Sequence, residues 1–332
     1  MASTAPHPLV RLEHVSKTFA THRGTVTACD DVSLTVDKGR SLGVVGESGS
    51  GKSTLVRILL MLLPPTSGRV WLNGVDVTNL SERRLKPYRR HVQFVAQDPL
   101  AALMPNLTVA ENIAEPLAIH GVGDKVSRRE TTLALMEKVG LPHALCNSLP
   151  SELSGGQQQR VAIARALALM PELIVLDEAV SSLDVSIQAQ ILNLLQALKE
   201  SMQLTYVFIS HNLAVIRLMC ERTAVMYKGK IIEYGESEAL FARPLHPYTQ
   251  ALLDAIPAFT KEGVTPLRVG GKRGVESGRL TVSGCLYHPR CPFASELCRQ
   301  ERPSLRLIGD RQVACHHAER VHDLRLAAGE HG

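Results

Sequence analysis

The residues best suited to chemistry in this 332-residue chain form a glycine-rich run at positions 46–53, Gly-Glu-Ser-Gly-Ser-Gly-Lys-Ser. The run fits the pattern G-x-x-x-x-G-K-[ST], in which backbone N–H groups of a tight loop surround phosphate oxygens. Lys52 supplies a positive charge for the outer phosphates, and the Ser53 hydroxyl is suited to bind Mg²⁺. Residues 41–45 predict a buried strand before the loop, and residues 54–63 predict a helix after it. The N-terminus of that helix would face the phosphates, so the sequence predicts a phosphate-binding loop.

A second group of polar residues follows three short predicted strands. Residues 173–176 are apolar and precede Asp177 and Glu178; His211 follows the stretch 205–210, and Gln97 follows 91–96. Carboxyl ends of parallel strands meet at one sheet edge, where ligand sites form in α/β proteins. Asp177 suits the Mg²⁺ shell and Glu178 suits activation of a water molecule. Taken singly, each residue has an ordinary interpretation: solvated acids at a strand end, a capping histidine and a surface glutamine.

The segment Leu-Ser-Gly-Gly-Gln at 153–157 precedes a predicted helix over 158–170. Ser154 and two glycines at a helix N-terminus form a second anion-binding element, although an ordinary Ser N-cap explains the same residues. The segment lacks a lysine and cannot be a second complete phosphate loop. It therefore fits the far side of a nucleotide that is held elsewhere.

Elements around these motifs are predicted from alternation and periodicity. Residues 9–18 and 26–36 alternate and predict strands beside the nucleotide, where Phe19 is a candidate to stack on a base or to pack in the core. Residues 107–149 become helical in pattern, and Asn73-Gly74 is a hairpin signal. An amphipathic helix is predicted over 187–199, and a closing hairpin over 224–234.

Composition excludes several classes of protein. Aromatic residues make up only 4% of the chain, with one Trp, which argues against a base-stacking nucleic-acid surface. The net charge of +5 is compatible with an anionic ligand or a membrane-proximal position, and is too small to indicate DNA binding by itself. No apolar run approaches the ~20 residues that span a bilayer. The first ten residues lack the basic and apolar regions of a signal peptide, so a cytosolic or peripheral membrane protein is expected.

Together the motifs resemble those of the ATP-binding subunit of an ABC transporter. The similarity covers about residues 9–241: the phosphate loop at 46–53, Gln97 at the Q-loop position, Leu-Ser-Gly-Gly-Gln at 153–157, Leu-Ile-Val-Leu-Asp-Glu at 173–178, Ser-Ser-Leu-Asp at 181–184, and His211 at the switch position. Ala179 and Asn212 depart from the common residues, but neither removes a catalytic group. The resemblance implies an α/β fold with a P-loop (RecA-like) core, an antiparallel β-subdomain and a helical subdomain at about 100–153.

The resemblance also implies roles for these residues. Two such domains pair head to tail, and each ATP lies between one subunit's phosphate loop and the other's signature segment. The catalytic residues are Glu178, His211 and Gln97, and the Mg²⁺ site is formed by Ser53, Gln97 and Asp177. The nucleotide-binding residues are Phe19, Gly46, Ser48, Gly49, Ser50, Gly51, Lys52, Ser53 and Thr54. The residues facing the partner's ATP are Ser154, Gly155, Gly156 and Gln157, with Asp184 in the D-loop.

The C-terminal part narrows the resemblance. His-Pro-Tyr-Thr-Gln-Ala-Leu-Leu at 246–253 is similar to the extension of ATPases in oligopeptide, dipeptide and nickel importers. We therefore expect an ATPase domain at 1–245 and an extension at 246–332. The similarity implies a peripheral protein on the cytoplasmic side of the inner membrane. It implies as partners a second ATPase, expected to be a paralogue, two permeases and an extracytoplasmic binding protein. A soluble ABC ATPase of DNA repair or translation is the alternative, but no coiled-coil insertion or second phosphate loop is present.

Four cysteines fall within the extension, with the spacing C-x5-C-x6-C-x16-C, after a linker-like segment at 260–284. Four thiolates can hold a [4Fe–4S] cluster or Zn²⁺, and free or buried thiols are the remaining possibility. The spacing lacks the C-x2-C pairs of zinc ribbons and Pro292 follows Cys291, so the cluster is favoured over zinc. The four residues are Cys285, Cys291, Cys298 and Cys315.

Overall fold

A computed structural model describes residues 8–22, 24–181, 183–255, 258–260, 263–265 and 283–321 of the chain. The predicted linker at 260–284 and the first seven residues lie almost wholly outside these ranges. The strands are β1 Val10–Thr21, β2 Gly24–Val36, β3 Ser41–Val45, β4 Ser67–Leu72, β5 Val75–Asp76, β6 Val92–Val95, β7 Leu173–Asp177, β8 Thr205–Ile209, β9 Arg222–Tyr227, β10 Lys230–Glu236, β11 Ala258–Thr260, β12 Gly263–Thr265, β13 Arg306–Ile308 and β14 Arg311–Val313.

Helices and short turns alternate with the strands along the chain. Short 3₁₀ turns cover His143–Asn147, Pro150–Glu152 and His288–Arg290. The α-helices are α1 Lys52–Leu59, α2 Glu82–Arg89, α3 Pro99–Ala102, α4 Val109–His120, α5 Lys125–Lys138, α6 Gly155–Leu167, α7 Val185–Met202, α8 Leu213–Met219, α9 Ser237–Ala242, α10 Pro247–Asp254 and α11 Glu296–Gln300. None of the helices in the described ranges is long and apolar enough to cross a membrane.

The central sheet has eight strands in the order β13-β14-β10-β9-β3-β8-β7-β6. Strands β9, β3, β8, β7 and β6 pair in parallel, and the other three strands extend the sheet in antiparallel fashion. Every residue of β3 and β8 is buried, which is expected for parallel strands covered on both faces. The apolar runs that predicted these strands are continuous for this reason rather than alternating.

Side chains of one strand pack into two different cores. Ile174 and Leu176 join the core that contains α6 and α7, whereas Leu173 and Val175 join the core that contains α1 and the N-terminal sheet. Successive side chains of a strand point to opposite faces, so the two cores lie on the two sides of the sheet. The sheet is therefore held rigidly on both faces, and its edge is a stable base for the phosphate loop.

A separate antiparallel sheet has the strand order β2-β1-β4-β5. The predicted hairpin at Asn73-Gly74 joins β4 to β5, and both residues have positive φ, 48° and 75°. That conformation is the one a two-residue hairpin needs. The predicted strand at 9–18 continues as β1 to Thr21 and pairs with β2 through several irregular steps of register. The antiparallel sheet predicted beside the phosphate loop is confirmed.

Between β6 and β7 the chain is helical. Thr108 caps α4 in a capping box with Glu111, and Asp124 caps α5 by accepting the Ser127 N–H. The buried Asn112 side chain donates to the carbonyls of three residues before and at the start of α4, at 2.9–3.1 Å. Such contacts fix the entry of α4, which packs on α5 and α6.

Two predicted helices have different ends in the structure, and one helix was not predicted. The helix predicted over 54–63 is α1, which ends at Leu59 because the chain turns at Met61, with φ 55°. The helix predicted over 158–170 is α6, which begins at Gly155 and ends at Leu167. Helix α2 was not predicted, because it contains Pro87 and buries only Leu85. Without a buried stripe, periodicity does not reveal a surface helix.

The C-terminal part of the chain is fastened to the central sheet. Strand β14 pairs with β10, and the two are locked by a buried ion pair between Glu233 and Arg311, 3.5 Å apart. The Glu233 carboxylate also accepts the N–H groups of Leu245 and His246 at 2.9 and 3.0 Å. The Arg311 guanidinium donates to the carbonyl of Ala239 in α9 and to that of Arg243, which follows α9. One buried network therefore joins β10, β14 and the start of α10.

We expect Glu233→Ala to release this part of the chain. The substitution leaves Arg311 buried without its carboxylate, which costs on the order of 3 kcal/mol and lowers the melting temperature by roughly 5–10 °C. Limited proteolysis should then cut before residue 306 faster than in the wild type. Glu238→Ala is the matched control, because Glu238 pairs with Arg217 on the surface, and it should change the melting temperature by at most about 2 °C. Equal shifts in the two variants would contradict the prediction.

Candidate functional site

The phosphate loop lies between β3 and α1, as the sequence predicts. Gly46 is buried, residues 47–49 are exposed, and Ser50 is buried again. Gly51 has φ 108°, and a Cβ atom there would lie 2.2 Å from the Ala28 carbonyl oxygen. Glycine is required at this position both by its backbone conformation and by the close approach of β2.

Lys52 points back into the loop that precedes it. Its Nζ donates to the carbonyl oxygens of Gly46 and Glu47, at 2.6 and 3.0 Å. Burial lowers the pKa of Lys52, and the carboxylates of Glu178, Asp177 and Glu47 oppose that shift. The loop thus holds a cation at its centre, with acidic groups nearby, which is the charge arrangement a phosphate group and Mg²⁺ would complete.

The acids and the histidine meet at the sheet edge that the sequence predicts. Asp177 ends β7, and the next residue, Glu178, donates its N–H to the Ile209 carbonyl of β8 at 2.8 Å. The Glu178 Oε1 lies 3.0 Å from the His211 Nδ1. The Glu178 side chain is 20% exposed and that of His211 is 64% exposed, so the pair opens to solvent. The structure therefore brings these two predicted catalytic residues into contact.

Asp177 ends β7, and Gln97 and Ser53 come shortly after β6 and β3, at the same end of the parallel sheet. Burial raises the pKa of Asp177, as does the neighbouring Glu178, whereas Lys52 lowers it. Gln97 follows β6, the strand that pairs with β7, and its side chain is exposed. Ser53 is exposed in the first turn of α1. These three oxygen-bearing residues are the side chains predicted for Mg²⁺.

Phe19 lies near the end of β1 and faces Val26 across the β1–β2 hairpin. Its side chain is 36% exposed, and the Lys17 Nζ lies 5.6 Å from the ring centroid. The alternative prediction, that Phe19 packs in the core, is therefore wrong. The partly exposed ring of Phe19, beside Lys17, is accessible for stacking on a base.

The signature segment lies at the start of α6. Ser154 caps the helix in a capping box with Gln157, so that the ordinary N-cap interpretation is correct for the Ser154 side chain. Both Ser154 and Gly155 are exposed. A Cβ on Gly156 would lie 2.8 Å from Ile187 of α7, so packing accounts for this second glycine. Asp184 precedes α7 and is exposed.

The signature segment and the phosphate loop belong to different packing units. Helix α6 packs on α3, α4 and α5, whereas α1 packs on β2 and β7. The Ser154 cap accepts the Gln157 N–H, and the exposed Ser154 and Gly155 leave the rest of this helix N-terminus accessible to an anion. The position of α6 is compatible with a nucleotide that another subunit presents.

The four C-terminal cysteines surround one cavity of about 10 Å³, together with histidines and the ring of Tyr287. Burial raises the pKa of Cys291 to about 11 and that of Cys315 to about 12. Backbone N–H groups two residues further along the chain are directed at three of the thiols. These donors are Tyr287 toward Cys285, Phe293 toward Cys291 and His317 toward Cys315.

The same cysteines do not form a site for a single ion. Within the described ranges, no group of three or more His, Cys, Asp or Glu side chains is arranged to hold a metal ion. Tetrahedral Zn²⁺ needs thiolates about 2.3 Å from the metal, so four ligands must converge closely. In the described ranges the arrangement therefore shows a formed site for neither of the two predicted metal groups, the [4Fe–4S] cluster or zinc.

Two contacts of the phosphate loop were not predicted from the sequence. The Glu47 N–H donates to the Tyr248 hydroxyl oxygen at 2.8 Å, and the Glu47 carboxylate binds both Nη atoms of Arg290. Tyr248 belongs to the segment quoted above for its family resemblance, but nothing in that segment indicates its target. These contacts span more than 200 residues of chain.

The fold and the site define a P-loop ATPase of the ATP-binding-cassette class, and comparisons with known proteins agree. Residues 29–181 match the ABC transporter family, and residues 232–298 match the oligopeptide/dipeptide transporter C-terminal region. A dimeric cassette solved in a post-hydrolysis state with ADP and phosphate has a TM-score of 0.63 and 34% identity, covering 69% of this chain and 98% of that one. The cbiO1 protein of Clostridium perfringens has a TM-score of 0.64 and 25% identity, covering 71% and 91%.

Relatives in sequence cover more of the chain. A protein of Brucella abortus named as a peptide import ATP-binding protein is 49% identical over 300 residues, 89% of this chain and 87% of its own. One of Sinorhizobium fredii, named as a peptide ABC transporter ATP-binding protein, is 48% identical over 299 residues, covering 90% and 84%. The chain belongs to the ATP-binding subunits of ABC transporters. It is an ATPase, and its family works with membrane permeases.

Proposed function

We propose that this chain hydrolyses ATP to energise the import of short peptides through an ABC transporter. The observation that carries the proposal is the combination of a P-loop with the acid–histidine pair at one sheet edge and a C-terminal region of the oligopeptide/dipeptide type. The names of its relatives from Brucella and Sinorhizobium support peptides as the class of solute. A role in DNA repair or translation has no corresponding support.

Glu178 is the general base in this proposal. Its carboxylate takes a proton from the attacking water, the water oxygen bonds to the γ-phosphorus, and the bond to the β-phosphate oxygen breaks to leave ADP and phosphate. His211 orients the carboxylate through the 3.0 Å contact and lies close enough to the edge to contact the γ-phosphate. Lys52 and the backbone N–H groups of the loop other than that of Glu47, which donates to Tyr248, bind the phosphates, with Phe19 against the adenine.

The residues at the edge fit Mg²⁺. Magnesium prefers oxygen ligands, and the hydroxyl of Ser53, the carboxylate of Asp177 and the amide oxygen of Gln97 provide them. The raised pKa of Asp177 marks a carboxylate whose charge lacks sufficient compensation within the protein. When bound, the ion neutralises charge on the phosphates and fixes their orientation. Gln97, at the end of β6, would link this site to motion of the helical subdomain at about 100–153.

A second ATPase subunit completes the site. The open N-terminus of α6 presents Ser154, Gly155, Gly156 and Gln157 to the ATP held by that partner, with Asp184 at the interface. We propose a paralogue as this partner, because transporters of this type generally use two different ATPases. Two permeases and an extracytoplasmic binding protein complete the assembly, with this chain on the cytoplasmic side of the inner membrane.

Reconstitution of the transporter tests the function. The chain should co-purify in detergent with the apolar permease subunits. Once it is assembled in vesicles with the second ATPase, peptide-loaded binding protein should stimulate ATP hydrolysis severalfold and drive peptide uptake. The same complex with sugar-loaded binding protein serves as the control. Isolation only with ribosomes or DNA, or stimulation by neither solute, would contradict the proposal.

We also propose that the four cysteines hold a [4Fe–4S] cluster with a structural role. The thiols line one cavity, and amide N–H groups directed at three of them are the kind of contact that stabilises cluster sulfurs. Within the described ranges no group of three or more His, Cys, Asp or Glu side chains is arranged to hold a metal ion, so the proposal rests on the shared cavity and on the spacing of the cysteines.

Anaerobic purification tests the cluster. The wild-type protein should be brown, with an absorbance band near ~400 nm and roughly four iron atoms per chain. Cys291→Ser should lose the band, whereas Cys146→Ser, which changes a cysteine outside the cavity, should retain it. A colourless, iron-free and fully folded wild-type protein would leave buried free thiols as the correct interpretation.

A further inference from the structure

The C-terminal extension contacts the phosphate loop at Glu47. Both carboxylate oxygens of Glu47 accept from Arg290, at 2.8 and 2.9 Å, and its backbone N–H donates to Tyr248. The side chain and the main chain of one loop residue are therefore held by two separate parts of the extension. A simple surface contact would not engage both.

The groups that hold Glu47 are themselves fixed by packing. Tyr248 is fully buried and contacts Tyr227 and Tyr287, with ring centroids 4.5 and 5.4 Å apart. Tyr287 lies at right angles to Tyr227 at 5.5 Å, which completes a cluster of three rings. Arg290 follows Tyr287 by three residues in a 3₁₀ turn. The backbone that carries Arg290 is therefore anchored next to the ring cluster through Tyr287.

Charge gives the contact a consequence for nucleotide binding. The Glu47 carboxylate lies in a loop that must accept the negative phosphates of ATP, and it is close enough to act on the Lys52 ammonium. Without a partner, the negative charge of the Glu47 carboxylate would repel the phosphates. A bidentate guanidinium cancels that charge and also fixes its position. Arg290 remains half exposed, so the effect is screened and moderate.

We propose that Arg290 and Tyr248 are positioning residues for ATP: Arg290 neutralises Glu47, and Tyr248 holds the backbone of the phosphate loop. The affinity of the loop for ATP thus depends on the C-terminal extension. The inference rests on the proposed nucleotide site. The competing explanation is that these contacts only attach the extension to the core. The two explanations predict different effects of replacing Arg290 and of replacing Glu47.

The test compares the affinities of full-length variants for MgATP, measured by calorimetry. Arg290→Gln should weaken binding about three- to tenfold because it exposes the Glu47 charge, and the loss should shrink as salt rises. Glu47→Gln breaks the same pair but leaves no charge, so its affinity should stay within about twofold of the wild type. The double variant Glu47→Gln/Arg290→Gln should bind MgATP as tightly as Glu47→Gln does. The affinity of Arg290→Lys should lie between those of the wild type and Arg290→Gln.

Two further variants separate charge from support. Tyr248→Phe removes the acceptor of the Glu47 N–H and should weaken binding about two- to fivefold, independently of salt. Arg217→Gln is the matched control, because Arg217 forms a bidentate pair with Glu238 on α8 and α9. It should leave the affinity unchanged.

Three outcomes would overturn the inference. The first is an affinity of Arg290→Gln for MgATP equal to that of the wild type. The second is an equal loss of affinity in Glu47→Gln and Arg290→Gln, which would indicate that the pair only attaches the extension to the core. Both leave the proposed function intact if the wild type binds MgATP. Failure of the wild type to bind MgATP is the third outcome, and it would overturn the proposed function together with the inference.

Discussion

Glu178→Gln should reduce ATP turnover at least about 100-fold, because general-base catalysis contributes roughly 10²–10⁴ in rate. The amide has the size of the carboxylate and still meets His211, but it cannot take a proton from water. It also removes one negative charge beside the phosphates, so MgATP binding should persist or tighten. Turnover stops with ATP enclosed, and a closed dimer should accumulate.

Phosphate release and gel filtration with MgATP measure these two effects. Glu200→Gln is the control, since Glu200 is exposed near the end of α7 and should leave turnover unchanged. His211→Ala should lower turnover less severely, because the base remains but loses its 3.0 Å partner. Turnover above about a tenth of the wild-type rate in Glu178→Gln would exclude Glu178 as the base.

Lys52→Ala should act on binding rather than on the chemical step. Lys52 is the buried cation of the phosphate loop, and a charge-assisted hydrogen bond to a phosphate contributes about 1.5–3 kcal/mol. The affinity for MgATP should therefore fall at least about tenfold, and turnover at low ATP should fall with it. Calorimetry measures the affinity directly.

The substitution also removes donors to the carbonyls of Gly46 and Glu47, so the empty loop loses internal bonds. Circular dichroism and melting curves check that the fold survives. Lys138→Ala, at the exposed end of α5, removes an equal charge far from the loop and should not alter the affinity. An unchanged affinity in Lys52→Ala would contradict the assignment of the phosphate site.

Local pattern was enough to predict the elements that carry the motifs. Strand β3 has the predicted bounds, and β7 and β8 differ from the predicted strands by one residue at most, because runs of four to six residues are too short for a typical helix and suit a buried strand. The edge that gathers Asp177, Glu178 and His211 follows from parallel pairing alone. Helix ends were less accurate, as α1 and α6 demonstrate, since the capping residue and the next turn decide them.

The C-terminal region was predicted as an extension, and its attachment could not be read from the sequence. Strand β14 joins the central sheet beside β10 through a segment of three residues, too short for any periodic signal. The buried pair of Glu233 and Arg311 lies 78 positions apart in sequence (311 minus 233). Neither partner is distinguished locally from a surface charge.

The sequence by itself determined the phosphate loop, the acids at the strand end and the cassette family, because each depends on residue types at short spacing. The tertiary structure decided which distant groups meet. It placed His211 against Glu178, gathered four cysteines around one cavity, and brought Tyr248 and Arg290 to Glu47. The reason is physical: local propensity fixes helices and strands, whereas contacts between distant residues depend on how those elements pack.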